Sequence, residues 1–209
     1  MSAGTGVNQL PWMWLVSRGS GLVLLVLFSA VFVLGISSRL GTFIGTMPRF
    51  ALVEVHRTLA LFSVALLMLH VGTAVLDPYI SIGWWATILP FGAHYRPLAI
   101  GLGTLAIDLG AAVIVTSLAR RKLGYRWWRA VHWLAYASWP LAFAHSLKAG
   151  SDMGVWWVAT VVWGSATAVS LAVGDRVLSA VRDKTRTGLG GRSGQTERCR
   201  PVCIHGGGT

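Results

Sequence analysis

Acidic residues are scarce. Seven Asp and Glu stand against eighteen Lys and Arg, and charged residues make up only 12% of the 209-residue chain. A soluble domain carries about 25%, so composition excludes an ordinary soluble globular fold. Hydrophobic residues at 54% and a mean hydropathy of +0.61 point instead to a membrane protein. Cysteine is nearly missing, with only Cys199 and Cys203 near the C-terminal end. With His205 they form a C-x3-C-x-H cluster, but two thiolates and one imidazole fall short of the usual four zinc ligands. A structural disulfide is not expected in the cytoplasm, and the pair is read as reduced thiols in a loose tail. The chain has no glycine-rich phosphate loop after a strand, no Walker sequence and no room for a soluble nucleotide-binding domain. Its start, MSAGTGVNQLPWMW, lacks a basic segment, so the first apolar run is not expected to be a cleaved signal peptide.

What is present is a series of long apolar runs. Five of them, at 14–37, 52–76, 98–119, 130–147 and 155–173, are each long enough to cross a hydrocarbon core of about 30 Å as a helix. The fold expected is therefore an all-α membrane bundle of about five transmembrane helices. The aromatic stretch 80–91 is short and interrupted by Gly83 and Pro90, and reads as interfacial or re-entrant. Tryptophans mark the expected span ends at Trp12 and Trp14, Trp84 and Trp85, Trp127 and Trp128, and Trp156 and Trp157, as in interfacial aromatic belts. The bundle occupies 11–181. Residues 182–209 are polar, basic and glycine-rich, and are expected to be a disordered cytoplasmic tail.

The net charge of +11 is distributed by topology. Arg39, Arg49 and Arg57 follow the first span; Arg120, Arg121, Lys122, Arg126 and Arg129 follow the third; Arg176, Arg182, Lys184, Arg186, Arg192, Arg198 and Arg200 follow or end the fifth. Only Arg18, Arg96 and Lys148 fall on the other side. This positive-inside bias places the N-terminus outside and the C-terminus in the cytoplasm. Because topology accounts for the charge, no nucleic-acid partner is expected; the partner surface is the lipid bilayer of the cell's plasma membrane.

Four of the six histidines lie in two spans. The second span carries His56 and His70 as H-x13-H, and the fourth carries His132 and His145 as H-x12-H. Both spans run from inside to outside, so His56 and His132 share the inner depth and His70 and His145 the outer one. At about 1.5 Å rise per residue the separations are about 21 and about 19.5 Å. Ionisable groups in a bilayer are costly and normally functional. Facing imidazoles are a ligand pair for six-coordinate haem iron, and two haems stacked across the membrane make an electron path. On an ideal helix fourteen residues bring His70 within about 40° of His56, whereas thirteen leave His145 about 140° from His132. Pro140 lies between them and is expected to kink the span and change its winding there. The alternative is four scattered histidines, each hydrogen-bonded to a neighbouring helix.

The double spacing, with SRGSG opening the first span, EVHR the second and WWRAVHWLAY the fourth, resembles the ferric reductase-like transmembrane domain. That superfamily includes ferric reductases, NADPH oxidases and the haem-binding membrane subunit of the bacterial methionine sulfoxide reductase system. The resemblance covers about residues 11–175. It implies that His56 and His132 bind an inner haem b and that His70 and His145 bind an outer one. Arg18 resembles the arginine that family members place beside the outer haem; a snorkelling interfacial arginine is the alternative. Arg57 and Arg129 are candidates for the inner propionates, or only enforce topology.

The resemblance implies a b-type cytochrome, an iron-binding oxidoreductase of electron transport. The chain lacks the C-terminal flavin and nicotinamide domain of larger members and their extra N-terminal span. A separate donor is therefore implied, either a cytoplasmic flavoprotein reductase that supplies the flavin or a membrane quinol. The acceptor is ferric iron, dioxygen or an extracytoplasmic redox protein. Two other readings stay open: a haem-binding relay subunit with no substrate of its own, and a haem-free transporter or scaffold. Asp108, near the middle of the third span, is either hydrogen-bonded to another span or part of a proton route.

Overall fold

The computed structural model describes residues 12–40, 48–77, 82–150 and 152–196, and these are helical or irregular, with no strand among them. The elements are α1 (Trp12–Leu40), α2 (Arg49–Leu76), a 3₁₀ turn (Trp84–Thr87), α3 (Pro97–Leu118), α4 (Arg120–Leu123), α5 (Tyr125–His132), α6 (Ala135–Ala149) and α7 (Trp156–Thr196). Four stretches are long and apolar enough to cross a membrane: Trp12–Ser38, Arg49–Leu76, Pro97–Leu118 and Trp156–Arg182. They coincide with four of the five expected spans. The fifth, at 130–147, is not one helix but two, with α5 and α6 meeting at a turn over Trp133 and Leu134.

That turn has a definite hydrogen-bond signature. The amides of Trp133, Leu134, Tyr136 and Ala137 donate to the carbonyls of Ala130, Val131, Trp133 and Leu134, each three residues back. The chain is wound as a 3₁₀-helix there, whereas α6 passes through Pro140 without interruption. A proline ring presses on the carbonyl four residues earlier and offers it no amide; here that carbonyl belongs to Tyr136. The change of winding lies at Trp133 and Leu134, before Pro140 rather than at it.

Helix α1 is the centre of the bundle, packing on α2, α6 and α7, while α3 packs on α6. Phe32, Ile36, Trp139, Val169 and Ala172 form the buried core between α1, α6 and α7. Trp139 Nε1 donates to Ser29 Oγ at 2.9 Å, and that hydroxyl donates to Leu25 O at 2.7 Å, so a polar chain is satisfied inside the apolar contact. In the 80–91 stretch the described part forms one 3₁₀ turn, not a span. It is tied to α3 by Thr104 Oγ1 donating to Ala86 O at 2.7 Å. Arg96 (φ 42°) leads into Pro97 at the start of α3, where a proline costs no helix hydrogen bond.

Helix α7 continues past its apolar part as far as Thr196, into the basic segment expected to be a loose tail. No proline interrupts it before Pro201. The cluster of Cys199, Cys203 and His205 lies outside the described residues.

Candidate functional site

One cavity of about 1080 Å³ runs through the bundle, and all four span histidines line it. Ligand pockets are usually about 300–1,000 Å³, so this space is large for a single small molecule. It exists because the helices that carry the paired histidines stand apart. Helix α1 packs on both α2 and α6 and spaces them.

At one end His70 of α2 faces His145 of α6, with ring centroids 6.4 Å apart and ring planes at 84°. His70 Nδ1 lies 2.8 Å from Ser17 O, with Ser20 Oγ further away at 3.4 Å. His145 Nδ1 lies 2.7 Å from Ala99 O. Fourteen residues along α2, His56 Nδ1 lies 2.9 Å from Val31 O. A carbonyl oxygen only accepts, so each of these three rings carries its proton on Nδ1 and donates it. The neutral ring then keeps a lone pair on Nε2, the tautomer of a metal-binding histidine whose other nitrogen is held by a backbone carbonyl. The hydrogen bonds to neighbouring helices and a ligand role thus use different nitrogens of the same ring. His132, at the end of α5, stacks on Trp128 with centroids 4.9 Å apart.

The 3₁₀ stretch removes the mismatch between the two spacings. A 3₁₀-helix turns about 120° and rises about 2.0 Å per residue, against about 100° and 1.5 Å in an α-helix. About five tightened steps add roughly 100° and 2.5 Å to the thirteen-residue interval. Over-wound in this way, His132 to His145 turns through about the same angle, and rises by about the same 21–22 Å, as the fourteen residues from His56 to His70.

The arginines occupy different settings. Arg18 lines the cavity and is paired with Asp152 at 2.5 Å. It also contacts Ala149 O at 3.4 Å and lies over the Trp14 ring at 4.6 Å. Arg57 and Arg129 both line the cavity as well and are exposed. Asp108 does not line it; its side chain is exposed on the outside of α3. Among the described residues no three His, Cys, Asp or Glu side chains converge on one point; His70 and His145 face each other as a pair, while His56 and His132 each line the same cavity.

Sequence reasoning gave a ligand role to none of three glycines that touch these histidines; it read those of GLGTLAIDLG, Gly103 among them, as packing glycines. A methyl group at Gly21 would lie 2.9 Å from the His70 ring, at Gly35 3.2 Å from His56, and at Gly103 2.7 Å from His145. The signal was present: Gly21 and Gly35 repeat on α1 the fourteen-residue interval of His56 and His70 on α2.

Residues 20–143 match the family described as "Ferric reductase like transmembrane component". No curated protein and no solved structure matches the chain. The matched region exceeds half of the chain and runs from α1 into α6, taking in His56, His70 and His132, with Arg18 just before it and His145 just beyond. The chain therefore belongs to the ferric reductase-like transmembrane family, as an integral membrane redox component.

Proposed function

We propose that the chain is a b-type cytochrome of the plasma membrane. It carries electrons from a cytoplasmic-side donor to an outer acceptor through two bis-histidine haem sites, His56 with His132 and His70 with His145. The carrying observation is the His70–His145 pair. The two rings stand with centroids 6.4 Å apart, and these two residues would hold one haem iron between them, one imidazole from each side. Both rings also have Nδ1 engaged by a backbone carbonyl, which leaves Nε2 for iron.

Bound haem supplies one-electron ferric–ferrous chemistry. The chain's residues hold and tune it. The carbonyls of Ser17, Val31 and Ala99 fix three of the four ring orientations and raise ligand basicity. Arg18 offers its guanidinium to an outer propionate or an anionic acceptor, and Arg57 and Arg129 to inner propionates. The basic loops orient the chain in the membrane, with the N-terminus outside. The donor is a cytoplasmic flavoprotein reductase or a membrane quinol; the acceptor is ferric iron, dioxygen or an extracytoplasmic redox protein.

The test is the absorption spectrum of the purified protein with and without dithionite, together with a pyridine haemochrome assay. A reduced b-type α-band and two haems per chain are expected. Absence of both signals overturns the reading in favour of a haem-free transporter or scaffold. Supplying a reduced donor to the protein alone in vesicles then separates a reductase, which reduces an outer acceptor unaided, from a relay subunit, which does not.

A further inference from the structure

Three histidines meet their neighbouring helix in one way. His70 Nδ1 reaches the carbonyl of Ser17, and four residues further along α1 stands Gly21. His56 Nδ1 reaches the carbonyl of Val31, and four residues further stands Gly35. His145 Nδ1 reaches the carbonyl of Ala99, and four residues further along α3 stands Gly103. The offset has a physical reason. Side chains on a helix lean toward its N-terminus and cover the turn before their own Cα. A side chain at position n+4 therefore shields the carbonyl of residue n. That oxygen already accepts the helix amide of n+4, but it keeps a second lone pair. Only when n+4 has no Cβ can a bulky ring from another helix settle on it.

Resting on the haem-binding reading above, we infer that Gly21, Gly35 and Gly103 are positioning residues for the ligands. Each opens one backbone carbonyl so that a specific imidazole donates Nδ1–H to it and turns Nε2 toward the cavity. Glycine on membrane helices often serves only close packing, and the register distinguishes the two roles. Gly21 and Gly35 each lie under one of the two α2 histidines at the same interval, and Gly103 lies under the α6 histidine. Gly110, one heptad beyond Gly103, has the same arrangement with a serine. Ser138 Oγ donates to Ala106 O at 2.9 Å, and a methyl at Gly110 would be an ordinary 3.7 Å from that hydroxyl. Gly110 thus shows the same geometry with a hydroxyl in place of an imidazole.

The experiment is carried out on the full chain. Gly103→Ala and Gly21→Ala, where the methyl would fall within 3.0 Å of the ring, are expected to weaken haem retention at the outer site about 10–100-fold, as loss of an orienting partner does. The inner site's midpoint potential stays where it was. Gly35→Ala, at 3.2 Å, is expected to perturb the inner site alone and more mildly. Gly174→Ala, on α7 where an added methyl has nothing within 4 Å and outside the cavity lining, is expected to change neither site. Haem per chain, spin state and redox titration are the readouts. Equal loss at both sites from any one substitution, or a wild type with two haems whose three glycine variants keep both with unshifted potentials, overturns the inference. The histidine tautomers of the haem-free wild type, read by ¹⁵N NMR, need neither a variant nor the cofactor. Nδ1–H at His56, His70 and His145 supports the inference and Nε2–H overturns it. A wild type that binds no haem overturns the functional reading, not the tautomer result.

Discussion

Arg18 at the start of the bundle and Asp152, just before α7, are joined by an ion pair at the mouth of the cavity. The two side chains are 23% and 40% exposed, so the pair contributes only about 0–1 kcal/mol to stability. Its consequence is electrostatic. Asp152 offsets the positive charge that Arg18 presents to the cavity, and so to the proposed outer site. Asp152→Asn is expected to raise the midpoint potential of the outer site, because an uncompensated cation favours the reduced iron, and Arg18→Ala to lower it. Redox titration of both variants checks the pair; shifts of the same sign would contradict the assignment.

The proposed haem sites divide the four histidines by depth, not by helix. His70→Ala and His145→Ala are each expected to remove the same outer haem, and His56→Ala and His132→Ala the same inner one, leaving about one haem per chain in every case. Haem stoichiometry with resolved potentials distinguishes the two halves. Loss of all haem from any single variant would mean one site, not two.

Pro140 is expected to matter for the outer site without touching it. In Pro140→Ala the carbonyl of Tyr136 regains an amide partner, and the 3₁₀ stretch relaxes toward α-helical winding. His145 then turns away from His70. Reduced haem content confined to the outer site is the expected outcome, and two haems with unchanged spectra would disprove the role given to over-winding.

Ser29→Ala removes the acceptor of the Trp139 indole N–H, both residues being buried in the α1–α6–α7 contact. An unsatisfied buried donor costs about 1–3 kcal/mol. A lower thermal midpoint with unaltered haem potentials is expected, measured by a melting curve on the purified protein.

Asp108→Asn is expected to leave haem content and both potentials unchanged, since the side chain faces away from the cavity. A pH-dependent change in reduction kinetics in this variant would restore it to a proton route.

The α2 histidines were legible in the sequence because one unbroken helix connects them, and a fixed rise and turn per residue convert spacing into depth and direction. The same arithmetic failed on the fourth span. Its winding changes at Trp133 and Leu134, residues whose types announce no break, while Pro140, the residue that does announce one, sits inside an unbroken helix. Asp108 was located in depth but not in azimuth, because α3 is apolar nearly all round and offers no stripe to say which face is inward. The partner of Arg18 stands 134 residues away in sequence, beyond any local pattern. The glycine interval on α1 was visible but had no meaning until α1 was seen to run antiparallel against α2.

The two supports of the ligands come from different parts of the chain: α1 holds the histidines of α2, and α3 holds the outer histidine of α6. Each proposed haem site therefore takes one half from an early helical hairpin and the other from a later pair. During synthesis the first hairpin can set both of its imidazoles before the second pair has left the ribosome. The α1–α6–α7 core already joins those halves, and a haem bound between them would add a second tie across the same seam.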